Sequence, residues 1–143
     1  MNFAKWIYRI AGIYGLFVLA PLLVLERTVS QTSPPAITHP EYYYGFAIVG
    51  VAWQVAFLVI SGDPQRFRSL MPVTWLEKTW GLMAIVLYIQ NRISPEVLAL
   101  GLIDLLLAAF FVAAYITTTQ SRVRVIDSLN EPATSVPRRA GQR

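Results

Sequence analysis

The sequence predicts an all-α fold, an integral membrane four-helix bundle with both termini cytoplasmic, and three observations carry that prediction. Of the 143 residues, 55% are hydrophobic and only 14% charged, and the mean hydropathy is +0.50, too apolar for a soluble domain of this size. The apolar residues collect in four runs, at about 3–25, 42–61, 75–91 and 96–118, each close to the roughly 20 residues a helix needs to cross a bilayer. The basic residues are sorted: Lys5, Arg9, Arg66, Arg68, Lys78, Arg122, Arg124, Arg138, Arg139 and Arg143 fall on one side of a four-span arrangement, and only Arg27 and Arg92 on the other. Lysine and arginine concentrate in cytoplasmic loops. The side with the ten basic residues is therefore expected to be the inner one, in the cell membrane.

Four spans use about 85 residues, which leaves one domain, 1–118, and a basic cytoplasmic tail, 119–143, expected to be disordered. The absence of cysteine excludes disulfides, thiol catalysis and thiolate metal sites. A single histidine is too few for a bis-histidine haem. No cofactor or metal is expected. The net charge of +4 does not imply nucleic acid, because the cations flank apolar runs and topology accounts for them. The first span begins near Met1 with no cleavage site of small residues, so it is read as a retained helix and not a signal peptide.

The first span, Phe3 to Leu25, opens with Trp6, Tyr8 and Arg9, residues suited to an interface. Tyr8, Gly12, Gly15 and Leu19 line one stripe, along which a second helix can approach closely. Pro21 should bend the last turns. Glu26 to His39 contains Ser33, Pro34 and Pro35 and reads as a loop. His39, Pro40 and Glu41 supply a cap, a first-turn proline and a first-turn acid. The second span, Tyr42 to Ser61, opens on Tyr42, Tyr43 and Tyr44 and places Gly50, Gln54 and Phe57 on one face. Gln54 lies about 18 Å along the helix from Tyr42 and should face protein.

Gly62, Asp63 and Pro64 end one helix and begin a short interfacial segment, Gln65 to Met71, carrying Arg66 and Arg68. Pro72 is read as its end. Thr74 and Glu77 then have capping-box spacing at the start of the third span, Trp75 to Asn91. Glu77, Gly81, Ala84, Tyr88 and Asn91 recur every three or four residues and form a small and polar stripe that should point inward. Ser94, Pro95 and Glu96 start the fourth span, on which Gly101, Asp104, Ala108, Phe111 and Tyr115 share a face.

Asp104 is the outstanding polar residue. It lies about 12 Å along its helix from Glu96, and an ionised aspartate near the bilayer centre costs about 2.5 to 3.5 kcal/mol on insertion scales. It should be protonated or paired. The candidate ligand-binding set is Asp104, Tyr88, Asn91, Gln54, Tyr44 and Glu77. The plainer alternative gives Asp104 a hydrogen bond to a neighbouring helix through Tyr88, Gln54 or a backbone carbonyl. Glu77 reads more simply as a capping acid, His39 as a cap or surface residue, and Lys78 and Arg9 as snorkelling cations.

Four short helices, Gly12 and Gly15 in the first span, Asp63, Pro64 and Arg66 in the basic turn, Glu77, and an acid in the fourth span resemble the DoxX-like group of small bacterial membrane proteins. The likeness covers Ala4 to Thr118. It implies a left-handed four-helix bundle in the cytoplasmic membrane, sometimes attached to a redox complex. Small multidrug exporters need a glutamate in the first span, and glutathione-using membrane enzymes an arginine and glutamate pattern in the second; neither is present. Emopamil-binding sterol isomerases also use membrane-buried acids, but no span here contains a matching histidine.

The first expectation is an accessory or structural subunit of a membrane complex, docking through its small-residue stripes onto a larger complex or a second copy, with the lipid bilayer as the general partner. The alternative is a binder or carrier of a small lipophilic ligand held around Asp104. Third comes a membrane enzyme with Asp104 as acid or base, which needs a second catalytic group. A tight seam at Asp104 favours the first, an open cavity the second.

Overall fold

The structure is a computed structural model that describes residues 2–33 and 36–130, with side chains described as far as Thr118. All its regular elements are helical. They are α1 (Asn2–Leu19), continued by a 3-10 turn at Ala20–Leu23, α2 (Glu26–Thr32), α3 (Pro40–Gly62), a second 3-10 turn at Arg68–Leu70, α4 (Met71–Lys78), α5 (Trp80–Ile89) and α6 (Pro95–Asn130). Three stretches are long and apolar enough to cross a membrane: Phe3–Leu23, Pro40–Gly62 and Pro95–Thr118.

Pro21 acts as its chemistry requires. With no amide to donate, it ends the regular ladder, and its own carbonyl accepts both Val24 N and Leu25 N at 3.1 Å. The expected loop from Glu26 to His39 contains α2 instead, which starts on the acid Glu26 and is tied down by Tyr44 Oη donating to Glu26 Oε2 at 2.9 Å. His39 makes no side-chain cap to α3; its Nδ1 pairs with Glu41 Oε1 at 3.1 Å. Asp63 does cap the following turn, accepting Arg66 N at 3.1 Å.

The expected third span is two helices. Pro72 lies in the first turn of α4 rather than ending the segment before it, because proline is well suited to a first helical turn. Thr74 is then interior, not a cap, and its hydroxyl donates to Met71 O at 2.6 Å. The break falls at Thr79, whose hydroxyl donates to Leu76 O at 2.6 Å. Its amide bonds the same carbonyl at 3.1 Å and Leu82 N bonds Thr79 O at 3.0 Å, a local tightening from i→i+4 to i→i+3 bonding. α6 runs on to Asn130, past the expected start of the tail; residues 131–143 lie outside the described residues.

α1 packs along α3 and α6, and α6 also packs along α4 and α5. A Cβ on Gly12 would meet Gln54 O and Leu58, one on Gly15 would collide with the Gln54 amide, and Gly50 sits under Leu19. Numbers rise on α1 as they fall on α3, so the two helices are antiparallel. At the α5–α6 crossing a Cβ on Gly81 would strike Gly101 O, and one on Gly101 would strike Ala84. The small-residue stripes are thus used inside this chain, where they bring helix backbones together.

The core lies at one end, where the start of α1, the end of α3, the start of α4 and the apolar middle of α6 meet around Tyr8, Phe57, Ile60, Met71 and Phe111. Tyr8 stacks on Phe111 with ring centroids 4.2 Å apart, and Phe57 meets Phe111 edge-on at 5.1 Å. Such ring pairs add about 0.5–1.5 kcal/mol beyond burial. The Tyr8 hydroxyl shares a 2.9 Å hydrogen bond with Thr74, which leaves this polar end satisfied inside an apolar cluster.

Candidate functional site

Above that core the side chains change from rings to charges. Because α4 begins at Met71, Lys78 lies two turns into it and faces α6. Its Nζ is 2.8 Å from Asp104 Oδ1 and 3.0 Å from Glu77 Oε2, and it stands 5.3 Å from the centroid of the Phe57 ring. Lys78 is therefore not a snorkelling cation. It is the partner of Asp104, in place of Tyr88, Gln54 or a backbone carbonyl.

Burial within the trio is unequal. The Lys78 side chain is 5% exposed, Glu77 17% and Asp104 20%. The ammonium is covered by protein and ring, while the two carboxylates keep a partly open side. A buried pair of this kind holds only when every charge has its partner. Removing one leaves an uncompensated charge.

Gln54 completes the polar group from α3. It is 1% exposed, its Nε2 donates to Gly50 O at 3.2 Å, and its Oε1 has no hydrogen-bond partner. That oxygen lies over Gly15, where any larger residue would displace it. A buried acceptor without a donor costs about 1–3 kcal/mol.

The open sides of these groups look into a cavity of about 840 Å³. Tyr14, Gly15, Val18 and Leu19 of α1 form one wall, Phe46, Val49, Gly50, Trp53 and Gln54 of α3 another, and Trp80 of α5 with Val97, Leu100 and Asp104 of α6 the rest; Glu77 and Lys78 lie at the polar floor. The volume is in the range of small-molecule sites, which are mostly apolar with a few converging polar groups. A smaller hollow of about 420 Å³ on the face of α1, lined by Ile13, Leu16, Phe17, Ala20 and Pro21, has no polar side chain to orient a ligand.

Of the candidate residues, Asp104, Glu77 and Gln54 come together at this cavity, and Tyr88, Asn91 and Tyr44 do not line it. Tyr88 is 39% exposed. Asn91 has φ 55 and closes the end of α5: Asn91 N bonds Tyr88 O and Arg92 N bonds Leu87 O, both at 2.9 Å, a left-handed helix cap for which asparagine is suited. Tyr44 is held by Glu26. Lys78, Tyr14, Trp53 and Trp80 were not among the candidates. The signal for Lys78 was its adjacency to Glu77 once Pro72 is taken as a helix start; the other three had no signal beyond being aromatic.

Among the described residues no cluster of three or more histidine, cysteine or acidic side chains is placed to hold a metal. Comparison of the chain with protein-family models, with curated proteins and with solved structures gives no match in any of the three.

Proposed function

We propose that the protein is a four-span membrane protein, with both termini cytoplasmic, that binds or carries a small lipophilic molecule in the cavity between α1, α3, α5 and α6. The observation that carries this reading is an apolar cavity of about 840 Å³ with Asp104, Glu77, Lys78 and Gln54 gathered at one end. An apolar wall takes the body of a ligand and the polar end fixes its orientation.

Three apolar helices support the membrane setting. In this reading α4 and α5 act together as the fourth span: Met71 to Ile89 covers about 28 Å at 1.5 Å per residue, close to the hydrocarbon thickness. The sorting of ten basic residues to one side supports cytoplasmic termini. Kinship with the DoxX-like group belongs to the same proposal and rests on the shared plan of helices and the basic turn at Arg66 and Arg68. The accessory-subunit reading loses its main support, because Gly12, Gly15, Gly81 and Gly101 pack within the chain.

The test is thermal unfolding of the protein in lipid nanodiscs with a panel of naphthyl compounds, compared with Leu100→Trp. Leu100 is one turn before Asp104 on the cavity wall, so the larger ring fills the space. Stabilisation by at least one compound, lost in Leu100→Trp, is expected. If no compound stabilises the wild type, or if Leu100→Trp responds equally, the cavity is not a binding site.

A further inference from the structure

The reading just given leaves the ligand's polar head unspecified, and the polar end of the cavity constrains it. From that geometry we infer that the site selects a lipophilic amine in its protonated form, the ammonium group docking against Asp104 and Glu77. This inference rests on the cavity being a binding site.

Three observations converge. First, two carboxyl groups face a single ammonium, since Lys78 Nζ contacts both Asp104 Oδ1 at 2.8 Å and Glu77 Oε2 at 3.0 Å. With both acids ionised the trio carries one negative charge in excess, and an excess charge in a low-dielectric wall needs either a proton or a second cation. Second, the two carboxylate side chains keep more open surface than the ammonium, and both line the cavity. Lys78 is the most covered of the three and lies against Phe57. Third, the two buried oxygens at this end without a hydrogen bond, Gln54 Oε1 and Glu77 Oε2, are both acceptors, and the Gln54 side chain is 1% exposed. A donor with positive charge meets all three at once. None of them asks for an anion.

The walls favour an organic cation over a hydrated metal cation. Val18, Leu19, Val49, Val97 and Leu100 offer no oxygen ligands, whereas Trp53 and Trp80 are suited to the apolar body of an organic cation and attract positive charge through their ring faces. Charge-assisted N–H···O⁻ bonds are roughly twice as strong as neutral ones. The ammonium head then supplies both the missing charge and the missing donor.

A matched series separates head from body: 1-naphthylmethylamine, 1-naphthalenemethanol and 1-naphthoic acid share one ring system and differ in charge. Binding is measured by calorimetry at neutral pH with the full chain in phosphatidylcholine nanodiscs, against empty nanodiscs for partition into lipid. The amine is expected to bind at least about ten-fold more tightly than the alcohol or the acid, about 1.4 kcal/mol by the affinity relation. Asp104→Asn is expected to reduce that preference to about three-fold or less, and Glu77→Gln, which keeps a partner for Lys78 in Asp104, serves if Asp104→Asn does not fold. Equal or tighter binding of the alcohol or acid overturns the inference while leaving the cavity a binding site. A preference for the amine that survives both substitutions also overturns it. No binding of any member overturns this inference and the cavity reading together.

Discussion

The closed and open ends of the molecule are built on the same three helix faces, one heptad apart. Tyr8 on α1, Phe57 on α3 and Phe111 on α6 meet in a ring cluster with every one of them buried. Seven residues away on the same helices stand Gly15, Gly50 and Asp104, all on the cavity wall. Seven residues are about 10 Å of helix and nearly two whole turns, so each pair points the same way. The helices approach at both ends; what differs is that rings fill the space at one and small or charged side chains leave it open at the other. A cavity here follows from side-chain volume alone, with no change of helix path required.

That contrast can be broken from either side. The largest effect should come from the closed end: Phe111→Ala removes the ring that both Tyr8 and Phe57 touch, and is expected to cost about 4 kcal/mol in reversible denaturant unfolding, with ligand stabilisation retained by the fraction that remains folded. Lys78→Met is expected to cost about 3 kcal/mol, because it leaves Asp104 and Glu77 facing each other without a cation. Here 1-naphthylmethylamine should raise the unfolding midpoint more than in the wild type, as the ligand replaces the lost ammonium; an equal or smaller rise would mean that the amine does not reach the carboxylates. The smallest effect belongs to Tyr8→Phe, which keeps the stacked ring and loses one hydroxyl bond, about 1 kcal/mol. Thr74 still bonds Met71 O, so a much larger loss would show that the Tyr8 hydroxyl orders the closed end.

Much of this contrast was legible in the residues. The stripe from Tyr8 through Gly12 and Gly15 to Leu19 does face α3, Gly50, Gln54 and Phe57 share a buried or cavity-facing side, and the Gly101, Asp104 and Phe111 face does turn inward. These follow from helical period and residue size, which need no knowledge of neighbours. The pairing of Asp104 did not follow in the same way. Pro72 can end one helix or begin another, and the choice moves Lys78 from the first turn of a helix to its second. Thr79 adds a break that no apolar period announces. Tyr88 and Asn91 kept their place in the stripe by spacing, yet the helix closes at Asn91 before they reach the cavity. Tyr44 was equally placed by its position at the head of α3, but α2, hidden in an apolar-poor segment, supplied Glu26 as a nearer partner.

The length of α6 has a mechanical consequence. Its 36 residues, Pro95–Asn130, make a rod of about 54 Å, and the segment from Asp104 to Asn130 is about 39 Å of it. The rod is gripped twice, by α5 where Gly81 meets Gly101 and by the ring cluster at Phe111. The stretch apolar enough to cross a membrane ends at Thr118, so the same helix runs on for about 18 Å beyond it.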